Sequence, residues 1–152
     1  LVGSEMCIRD SGYAAPLLAE GVEKLYYAIV EGELPLGPGV IDAPIGRRGD
    51  SIIGRCVTPE GKPSRTEYTI LRAAQGLSLA ACVPVTGRTH QIRVQFAARK
   101  HPLSGDGKYG SRIKGDIALQ SCGLQFRHPD TGRPLQFSLP LPDAAPWKEF
   151  LE

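Results

Sequence analysis

The residues best suited to chemistry stand together in one stretch of the chain, Thr86-Gly87-Arg88-Thr89-His90-Gln91-Ile92-Arg93-Val94. A helix is predicted to begin within it, and the N-terminus of a helix carries partial positive charge and unpaired N–H groups. Cations there cost stability unless an anion meets them, so we expect Arg88 and Arg93 to face a phosphate or a buried carboxylate. Thr89 and the first-turn amides would add phosphate contacts. For Arg93 the alternative is a surface arginine paired with a local glutamate.

Two neighbouring polar residues have competing interpretations. His90 is a candidate general base or metal ligand, but its companions His101 and His128 form no H-x-x-x-H pair, which favours a structural or phosphate-contacting role. Asp106 lies in a Gly-Asp-Gly turn, where aspartate commonly accepts hydrogen bonds from backbone amides, so a turn role is predicted over a catalytic one. The four cysteines are scattered without a C-x-x-C pair, which predicts reduced thiols and no zinc site.

Charge is distributed unevenly along the chain. The whole sequence carries 18 Lys and Arg against 16 Asp and Glu, a net +2 that alone implies no polyanionic partner. The window from Val85 to Gly115 has seven basic residues against the single Asp106, a net +6, and this leaves −4 for the rest of the chain. The pattern predicts a local anion-binding face, with a solvated, charge-rich loop as the alternative.

Size and composition fit one folded domain of 152 residues, of which 41% are hydrophobic. No run approaches the roughly 18 apolar residues of a membrane span, and no secretory signal is recognisable. We therefore expect a cytoplasmic protein.

Strands are predicted in five segments, the first of which is rich in β-branched and aromatic residues and the others of which are paired across short turns. These segments are Lys24 to Val30, Ser64 to Arg72, Leu77 to Pro84, Ala118 to Phe126 and Leu135 to Leu139. Short turns at 73–76 and 129–132 would join neighbouring strands into antiparallel hairpins. Gly37-Pro38-Gly39 instead predicts a loop-rich connection.

One helix is predicted from His90 to Lys100, with Thr89 as its N-cap and Ile92 and Phe96 on one apolar stripe. A short terminal helix is predicted near Trp147. Because strands outnumber helices and come in hairpins, the predicted class is α+β, with a mostly antiparallel mixed sheet and few helices.

Several ordered blocks carry a family resemblance. TGRTHQIR (86–93) is followed by HPLSGDGKYG (101–110), with KLYYAIVEG (24–32) and SRTEY (64–68) upstream and a hairpin strand at 119–129 downstream. Together these blocks, from about Glu20 to Pro146, closely resemble the RluA-type RNA pseudouridine synthases. Ordered blocks are far more specific than a lone short motif.

The resemblance implies isomerisation of uridine in RNA to pseudouridine, without cofactor or metal, on a base flipped out of its stack. An aspartate attacks, the glycosidic bond breaks, and the base is turned and rejoined through carbon. Tyr26 matches the tyrosine that stacks on the base, and Arg93 matches the arginine that pairs with the catalytic carboxylate. An arginine partner lowers the pKa of a carboxylate and keeps it ionised, as a nucleophile must be. The alternative for Tyr26 is a core tyrosine, since Tyr27 is equally aromatic and faces the other way.

The resemblance also implies a monomeric protein whose partner is RNA, either rRNA or tRNA. The residues expected to contact the RNA are Arg88, Thr89, His90, Lys108 and Tyr109.

The sequence departs from the family pattern at the nucleophile. In the family the aspartate lies in an Arg-Leu-Asp…Thr-Ser-Gly motif about 30 residues before the tyrosine, a position that falls before Leu1. Asp10 is 16 residues from Tyr26 and lies in residues 1–11, expected to be a non-native or disordered leader, so Asp10 is rejected as the nucleophile. Residues 12–152 are expected to be part of a pseudouridine synthase catalytic domain that is inactive without that aspartate.

Two other function classes stay open. An RNA-binding module without catalysis would explain both the basic window and the missing aspartate. An enzyme acting on a phosphate ligand through the Gly-Arg-Thr turn is the third option, but no GxxxxGK[ST] or G-x-G-x-x-G motif supports it.

A last expectation concerns the surroundings of Arg93. Without its partner, the guanidinium should point into a water-filled cleft lined by Tyr26 and the start of the helix, with no carboxylate of this chain within salt-bridge range. A bidentate pair with such a carboxylate would count against the residue correspondence.

Overall fold

The chain folds around an antiparallel sheet, seen in a computed structural model that describes residues 24–51 and 54–150. The main strands of this part are β1 (Lys24–Glu31), β2 (Gly37–Asp42), β5 (Arg65–Ala74), β6 (Leu77–Pro84), β7 (Leu119–Arg127) and β8 (Pro134–Ser138). Their order is β2-β5-β6-β1-β7-β8, and each neighbouring pair is antiparallel. Strands β3 (Ile45–Arg47) and β4 (Arg55–Val57) form a separate hairpin. The predicted α+β class with a mostly antiparallel sheet is confirmed.

Helix α1 (Gln91–Ala98) lies on one face of the sheet. Ile92 and Phe96 are buried beneath it, which confirms the predicted apolar stripe. Val94 points the other way and packs against Ile45 of β3, so α1 fixes the small hairpin over the main sheet.

The bounds of α1 differ from the prediction at both ends. The helix starts one residue later and ends two residues earlier than expected, and His90 rather than Thr89 occupies the N-cap position, without a side-chain capping hydrogen bond. The prediction of Thr89 as N-cap was wrong because the chain turns into the helix through His90, whose φ is 55°.

Strand β1 runs through the centre of the sheet and is buried on both faces. Tyr27 and Ile29 pack on one face in a cluster with Trp147, whereas Val30 packs on the other face in the cluster that contains Phe96. Burial on both faces explains why β1 reads as a nearly continuous apolar run rather than an alternating one.

Three local predictions need correction. Gly37-Pro38-Gly39 was expected to be a loop but forms the first half of β2, because an edge strand needs ladder hydrogen bonds on one side only and so tolerates proline. The β5–β6 turn has two residues rather than four, Gln75 and Gly76, whose φ values of 55° and 77° fit a type I′ hairpin turn. The terminal helix is a single 3-10 turn, Trp147–Phe150.

Candidate functional site

A groove of about 840 Å³ opens between β1, the end of β6 and the first turn of α1. Its lining comes from four separate parts of the chain and consists of Lys24, Tyr26, Glu67, Val83, Pro84, Val85, Thr86, Gly87, Arg88, His90, Gln91, Ile92, Arg93 and Leu119. The fold therefore brings the predicted site residues Tyr26, Arg88, His90 and Arg93 together. Thr89, Lys108 and Tyr109 lie outside this lining.

The two neighbouring tyrosines of β1 face opposite sides of the sheet. Tyr27 is 0% exposed and belongs to the core cluster around Trp147. Tyr26 is half-buried, packs at the margin of the other core cluster and lines the groove. The core interpretation thus fits Tyr27, and Tyr26 is the tyrosine that a ligand in the groove can reach.

A buried glutamine fixes the loop that precedes α1. Gln91 is 4% exposed, and its Nε2 donates to the Arg65 carbonyl at 2.9 Å and to the Thr66 hydroxyl at 2.8 Å. Its Oε1 accepts from the Thr86 hydroxyl at 2.7 Å and from the Arg88 backbone N–H at 3.1 Å. This side chain makes all of its hydrogen bonds within the protein, which holds Thr86 and Arg88 in one orientation.

Gln95 repeats the arrangement one helical turn later. It is 0% exposed, accepts from the Thr66 hydroxyl at 2.6 Å and donates to the carbonyls of Ala43 and Ser64 at 3.1 and 3.0 Å. The two glutamines tie α1 to β5 and to the segment after β2, so the groove wall is rigid where the sequence predicted anion binding.

His90 combines an unusual backbone conformation with a side chain that contacts Tyr109. Its φ of 55° lies in the left-handed region, which residues other than glycine seldom adopt. Its Nδ1 is 2.6 Å from the Tyr109 hydroxyl, and the two rings meet edge to face at 5.6 Å. Burial, followed by the charges of Arg93 and Lys108, lowers the pKa of His90, which favours the neutral imidazole.

Arg93 forms a bidentate ion pair with Asp106, with Nε–Oδ2 at 2.8 Å and Nη2–Oδ1 at 2.9 Å. The Asp106 side chain is 0% exposed and the Arg93 side chain 16%. The hydrogen bonds to Asp106 raise the pKa of Arg93. The expectation of no carboxylate within salt-bridge range of Arg93 is therefore wrong, as is the backbone-capping role predicted for Asp106. The other alternative, a buried carboxylate facing Arg93, is the one that the fold adopts.

The third nitrogen of the Arg93 guanidinium, Nη1, is not bonded to Asp106. The guanidinium carbon lies 5.0 Å from the centre of the Tyr109 ring, and Arg93 also lines the groove. No acceptor in residues 24–51 or 54–150 bonds to its Nη1. The pair with Asp106 counts against the simplest form of the family correspondence, since the guanidinium already meets a carboxylate.

The other predicted RNA-contacting residues occupy distinct positions. Arg88 is half-buried, and its Nε donates to a backbone carbonyl at 3.1 Å. Thr89 and Lys108 are exposed. Tyr109 is 7% exposed, and the guanidinium carbons of Arg48 and Arg93 each lie 5.0 Å from its ring centre. Because its ring is covered, Tyr109 can act on a ligand through its neighbours rather than by direct stacking.

Comparison with known proteins settles the family. Residues 14–98 match the family model described as RNA pseudouridylate synthase, which is more than half of the chain. The chain belongs to this family. The matched span of the RNA pseudouridylate synthase family includes Tyr26 and the whole stretch from Arg88 to Arg93.

Individual members of the family agree with this assignment. The chain is 43% identical to the RNA pseudouridine synthase YjbO of Bacillus subtilis over 123 residues, which cover 80% of the chain and 44% of the relative. It is 39% identical to ribosomal large subunit pseudouridine synthase D of Nitrosomonas europaea over 142 residues, 86% of the chain and 41% of the relative. The solved structure of human RNA pseudouridylate synthase domain containing 1 superposes with a TM-score of 0.68 at 27% identity, covering 85% of the chain and 59% of that structure. The chain thus spans less than half the length of these two curated relatives.

Other sequence predictions concern metals, thiols and membranes. Within the described residues, no group of three or more His, Cys, Asp or Glu side chains is placed to hold a metal ion. Cys56, Cys82 and Cys122 are free thiols, and burial raises the pKa of Cys122 to about 12. No helix in the described ranges is long and apolar enough to span a membrane. Cys7 and Asp10 lie outside the described residues.

Three residues that support the groove, Gln91, Gln95 and Asp106, have roles that were not predicted from the sequence. Gln91 and Gln95 were not singled out, although two glutamines four residues apart beside the apolar pair of α1 indicate a polar stripe facing protein. The pairing of Asp106 with Arg93 had no sequence signal, because it depends on how the chain returns to the helix after residue 98.

Proposed function

We propose that this chain forms the uridine-binding part of an enzyme that isomerises uridine in RNA to pseudouridine. The observation that carries the proposal is the groove in which Tyr26 and Arg93, matched to family site residues, face the same space. A single nucleotide flipped from its stack needs a pocket with an aromatic wall and a fixed cation, and this groove supplies both. Because relatives act on the large ribosomal subunit, by the name of the synthase D relative, rRNA is the first substrate to test, with tRNA second.

Tyr26 is proposed to stack on the uracil. Its backbone is held between β6, where Tyr26 pairs with Cys82, and β7, where it pairs with Ser121, so the half-buried ring projects from a fixed position in the sheet. A rigid aromatic face stabilises a flipped base at little entropic cost. The reaction needs no cofactor or metal under this proposal, since the attacking group is a carboxylate.

Arg93 is proposed to hold two carboxylates rather than one. Asp106 occupies its Nε and Nη2 atoms and fixes the plane of the guanidinium. The Nη1 atom then remains for the nucleophilic aspartate of the family, whose pKa it would lower. With this arrangement Arg93 still matches the arginine that pairs with the catalytic aspartate in the family. The arrangement also requires Asp106 to position Arg93.

The RNA backbone is proposed to lie along the basic window. Arg88 at the groove wall, Thr89 on the exposed loop and Lys108 contact phosphates, while His90 and Tyr109 form a supporting pair beside them. Phosphate contacts of this kind give affinity without sequence information and are sensitive to salt. The protein is proposed to act as a monomer in the cytoplasm.

In this proposal the nucleophilic aspartate lies upstream of Leu1 in a longer protein, as the motif spacing predicts, so that this chain by itself binds RNA without turnover. Asp106 cannot attack a base, because its side chain is 0% exposed and both of its oxygens are bonded to Arg93. The acidic residue that lines the groove is Glu67, which sits on β5 near Arg65 and matches no family nucleophile. For this chain alone, an RNA-binding module is therefore the second candidate function.

The test is pseudouridine formation on bulk rRNA and tRNA from a strain that lacks its own synthases. The chain alone should yield none. The chain extended by its genomic sequence upstream of Ser11 should yield pseudouridine, with activity lost in Tyr26→Ala and largely kept in Tyr26→Phe, which retains the stacking ring. No product from the extended protein on either RNA would overturn the proposed reaction. Product from the chain alone that disappears in Asp10→Ala would instead make Asp10 the nucleophile.

A further inference from the structure

Tyr109 links the candidate site to the β3–β4 hairpin through its hydroxyl group. Its ring is 7% exposed and is packed with Ile45 of β3 and Val94 of α1. The hydroxyl accepts a hydrogen bond from the backbone N–H of Arg55 in β4 at 3.2 Å. It also lies 2.6 Å from Nδ1 of His90, the residue that precedes α1. The hairpin therefore fixes the position of an O–H group beside the histidine ring.

These contacts determine which nitrogen of His90 carries a hydrogen. The Arg55 amide can only donate, so the Tyr109 hydroxyl accepts from it and keeps its own proton to give. In the part of the chain that the structure describes, Nδ1 of His90 is the one acceptor that this proton meets. A hydrogen on Nδ1 would instead leave a nearly buried hydroxyl without an acceptor, which folded proteins avoid. Nδ1 therefore accepts, and the neutral ring carries its hydrogen on Nε2.

The nitrogen that carries this hydrogen is available to a ligand. His90 lines the groove and Tyr109 does not, so the side of the ring turned away from Tyr109 faces the groove. Nε2 lies on that side, and none of the residues in 24–51 and 54–150 bonds to it. It is not one of the buried polar atoms that lack a partner, so it is open to solvent. The groove thus contains a neutral N–H donor of fixed direction.

The surroundings of His90 favour an uncharged acceptor over a phosphate. Burial, followed by the charges of Arg93 and Lys108, lowers the pKa of His90, so the neutral ring is favoured. A phosphate would be held more strongly by an imidazolium, and the surroundings oppose that charge. A carbonyl oxygen requires only a well-directed neutral donor. Uracil, the base expected in this groove, has two carbonyl oxygens.

We propose that the Nε2–H of His90 donates a hydrogen bond to a carbonyl oxygen of the uracil ring in the groove, with Tyr109 as the positioning residue that fixes its tautomer. The inference rests on the proposed function for its ligand, and it gives His90 a contact with the base instead of with a phosphate. If the oxygen is O4, the contact distinguishes uracil from cytosine, which carries an amino donor at that position. If the oxygen is O2, both bases accept the bond.

Nitrogen NMR of the histidine side chains measures the tautomer directly, because ring nitrogens with and without hydrogen resonate far apart. Two other histidines serve as internal standards. Nδ1 of His101 lies 2.8 Å from the Glu31 carbonyl oxygen and must donate to it, whereas Nδ1 of His128 accepts from two backbone N–H groups. At a pH where all rings are neutral, His90 should match His128 and differ from His101. A hydrogen on Nδ1 of His90 would overturn the inference.

The role of Tyr109 is tested in the same spectrum. Tyr109→Phe removes the hydroxyl and keeps the ring, so His90 should become a mixture of tautomers while His101 and His128 stay unchanged. A purely structural contact between the two rings would leave the tautomer of His90 as it was. An unaltered His90 signal in Tyr109→Phe would therefore remove Tyr109 from the proposal.

The base contact is tested by fluorescence anisotropy with three labelled oligomers of equal length, namely oligouridylate, oligocytidylate and an abasic ribose-phosphate chain. Their phosphates are the same, so differences in affinity report on the bases. His90→Phe, which keeps a ring without a donor, should weaken binding of oligouridylate about three- to tenfold and leave the abasic chain unaffected. His128→Gln is the matched control, since His128 does not line the groove. His90→Asn is the second variant, because asparagine tolerates the left-handed backbone and is too short to replace the ring.

The outcomes separate the two carbonyl oxygens and separate this inference from the proposed function. Weaker binding of oligouridylate alone identifies O4, and an equal loss for oligocytidylate identifies O2. An equal loss for the abasic chain would make the ligand of His90 a phosphate and overturn the inference. The inference also fails, and the proposed function stands, if both His90 variants bind oligouridylate like His128→Gln. If the unaltered chain binds none of the three oligomers, the proposed function itself fails.

Discussion

Replacing Asp106 by asparagine should destabilise the fold by about 3 kcal/mol, although the two side chains have the same size. The substitution removes the negative charge that faces Arg93 and exchanges one acceptor oxygen for a donor. Removing one partner of a buried ion pair costs roughly 3 to 5 kcal/mol, because the remaining charge is left without compensation. The Arg93 side chain is 16% exposed and Asp106 0% exposed, so the stranded arginine recovers some hydration from the groove and the lower end of that range applies.

The matched control is the surface pair of Arg65 and Asp42. Their atoms are 3.6 Å apart and their side chains are 43% and 67% exposed, so Asp42→Asn should cost no more than about 1 kcal/mol. Urea unfolding measures both variants, with an unchanged m-value showing that the unfolded reference is the same. For a chain of this length the Asp106 variant should also melt about 6 to 12 °C lower.

A double-variant cycle identifies the cause of the loss. In an Arg93→Gln background the buried Asp106 carboxylate is the stranded charge, so Asp106→Asn, which neutralises it, should cost nothing or stabilise the protein, and the coupling should be about 3 kcal/mol or more. If Asp106→Asn destabilises the protein by the same amount as Asp42→Asn, or if the cycle shows no coupling, the buried pair does not hold Arg93 in place and the two-carboxylate proposal loses its support.

Three further predictions address the tyrosines, the buried glutamine and the histidine. Tyr27→Ala should cost about 3 to 5 kcal/mol in urea unfolding and Tyr26→Ala less than about 1.5 kcal/mol, and similar losses would mean that both rings are core residues. Gln95→Leu should cost about 2 to 3 kcal/mol in thermal unfolding, since it leaves the Ala43 carbonyl without its side-chain donor and the Thr66 hydroxyl without its acceptor; a neutral result would show that the network adjusts without it. Because the pKa of His90 is lowered in the folded state, the unfolded chain binds a proton more readily, so the free energy of unfolding should fall as the pH drops below about 6.5. That fall should be smaller in His90→Gln, and equal pH slopes for the two proteins would contradict it.

Much of the strand pattern could be predicted, because β1 and β5 are rich in β-branched or aromatic residues and short turns join β5 to β6 and β7 to β8. The start of α1 could not, since His90 adopts a left-handed conformation that residues other than glycine seldom take, and its ring contacts Tyr109, 19 residues away. Buried polar contacts could not be predicted either. In the sequence Gln95 resembles an exposed helix residue, because its partner Thr66 lies 29 residues earlier in the chain.

The residues of the candidate site could be predicted where they belong to a recognisable sequence motif. Tyr26, Arg88, His90 and Arg93 do line one groove, as the family resemblance implied. The ionic partner of Arg93 was not predictable, because a 13-residue separation across a turn has no periodicity to reveal it. Arg48 belongs to a short hairpin with too few residues for a strand pattern, so its position over Tyr109 emerges only in three dimensions.

The central place of β1 in the sheet has a consequence for synthesis on the ribosome. Tyr26 pairs with Cys82 on one side and with Ser121 on the other, so the first described strand must wait for segments about 55 and 95 residues further along. At roughly 5 to 20 residues per second, the second partner is made on the order of 5 to 20 s after β1. During that interval the β5–β6 hairpin can form locally, while one edge of β1 stays open to other chains. One edge of β1 therefore stays open until β7 emerges, and conditions that slow translation between β6 and β7 lengthen the exposure.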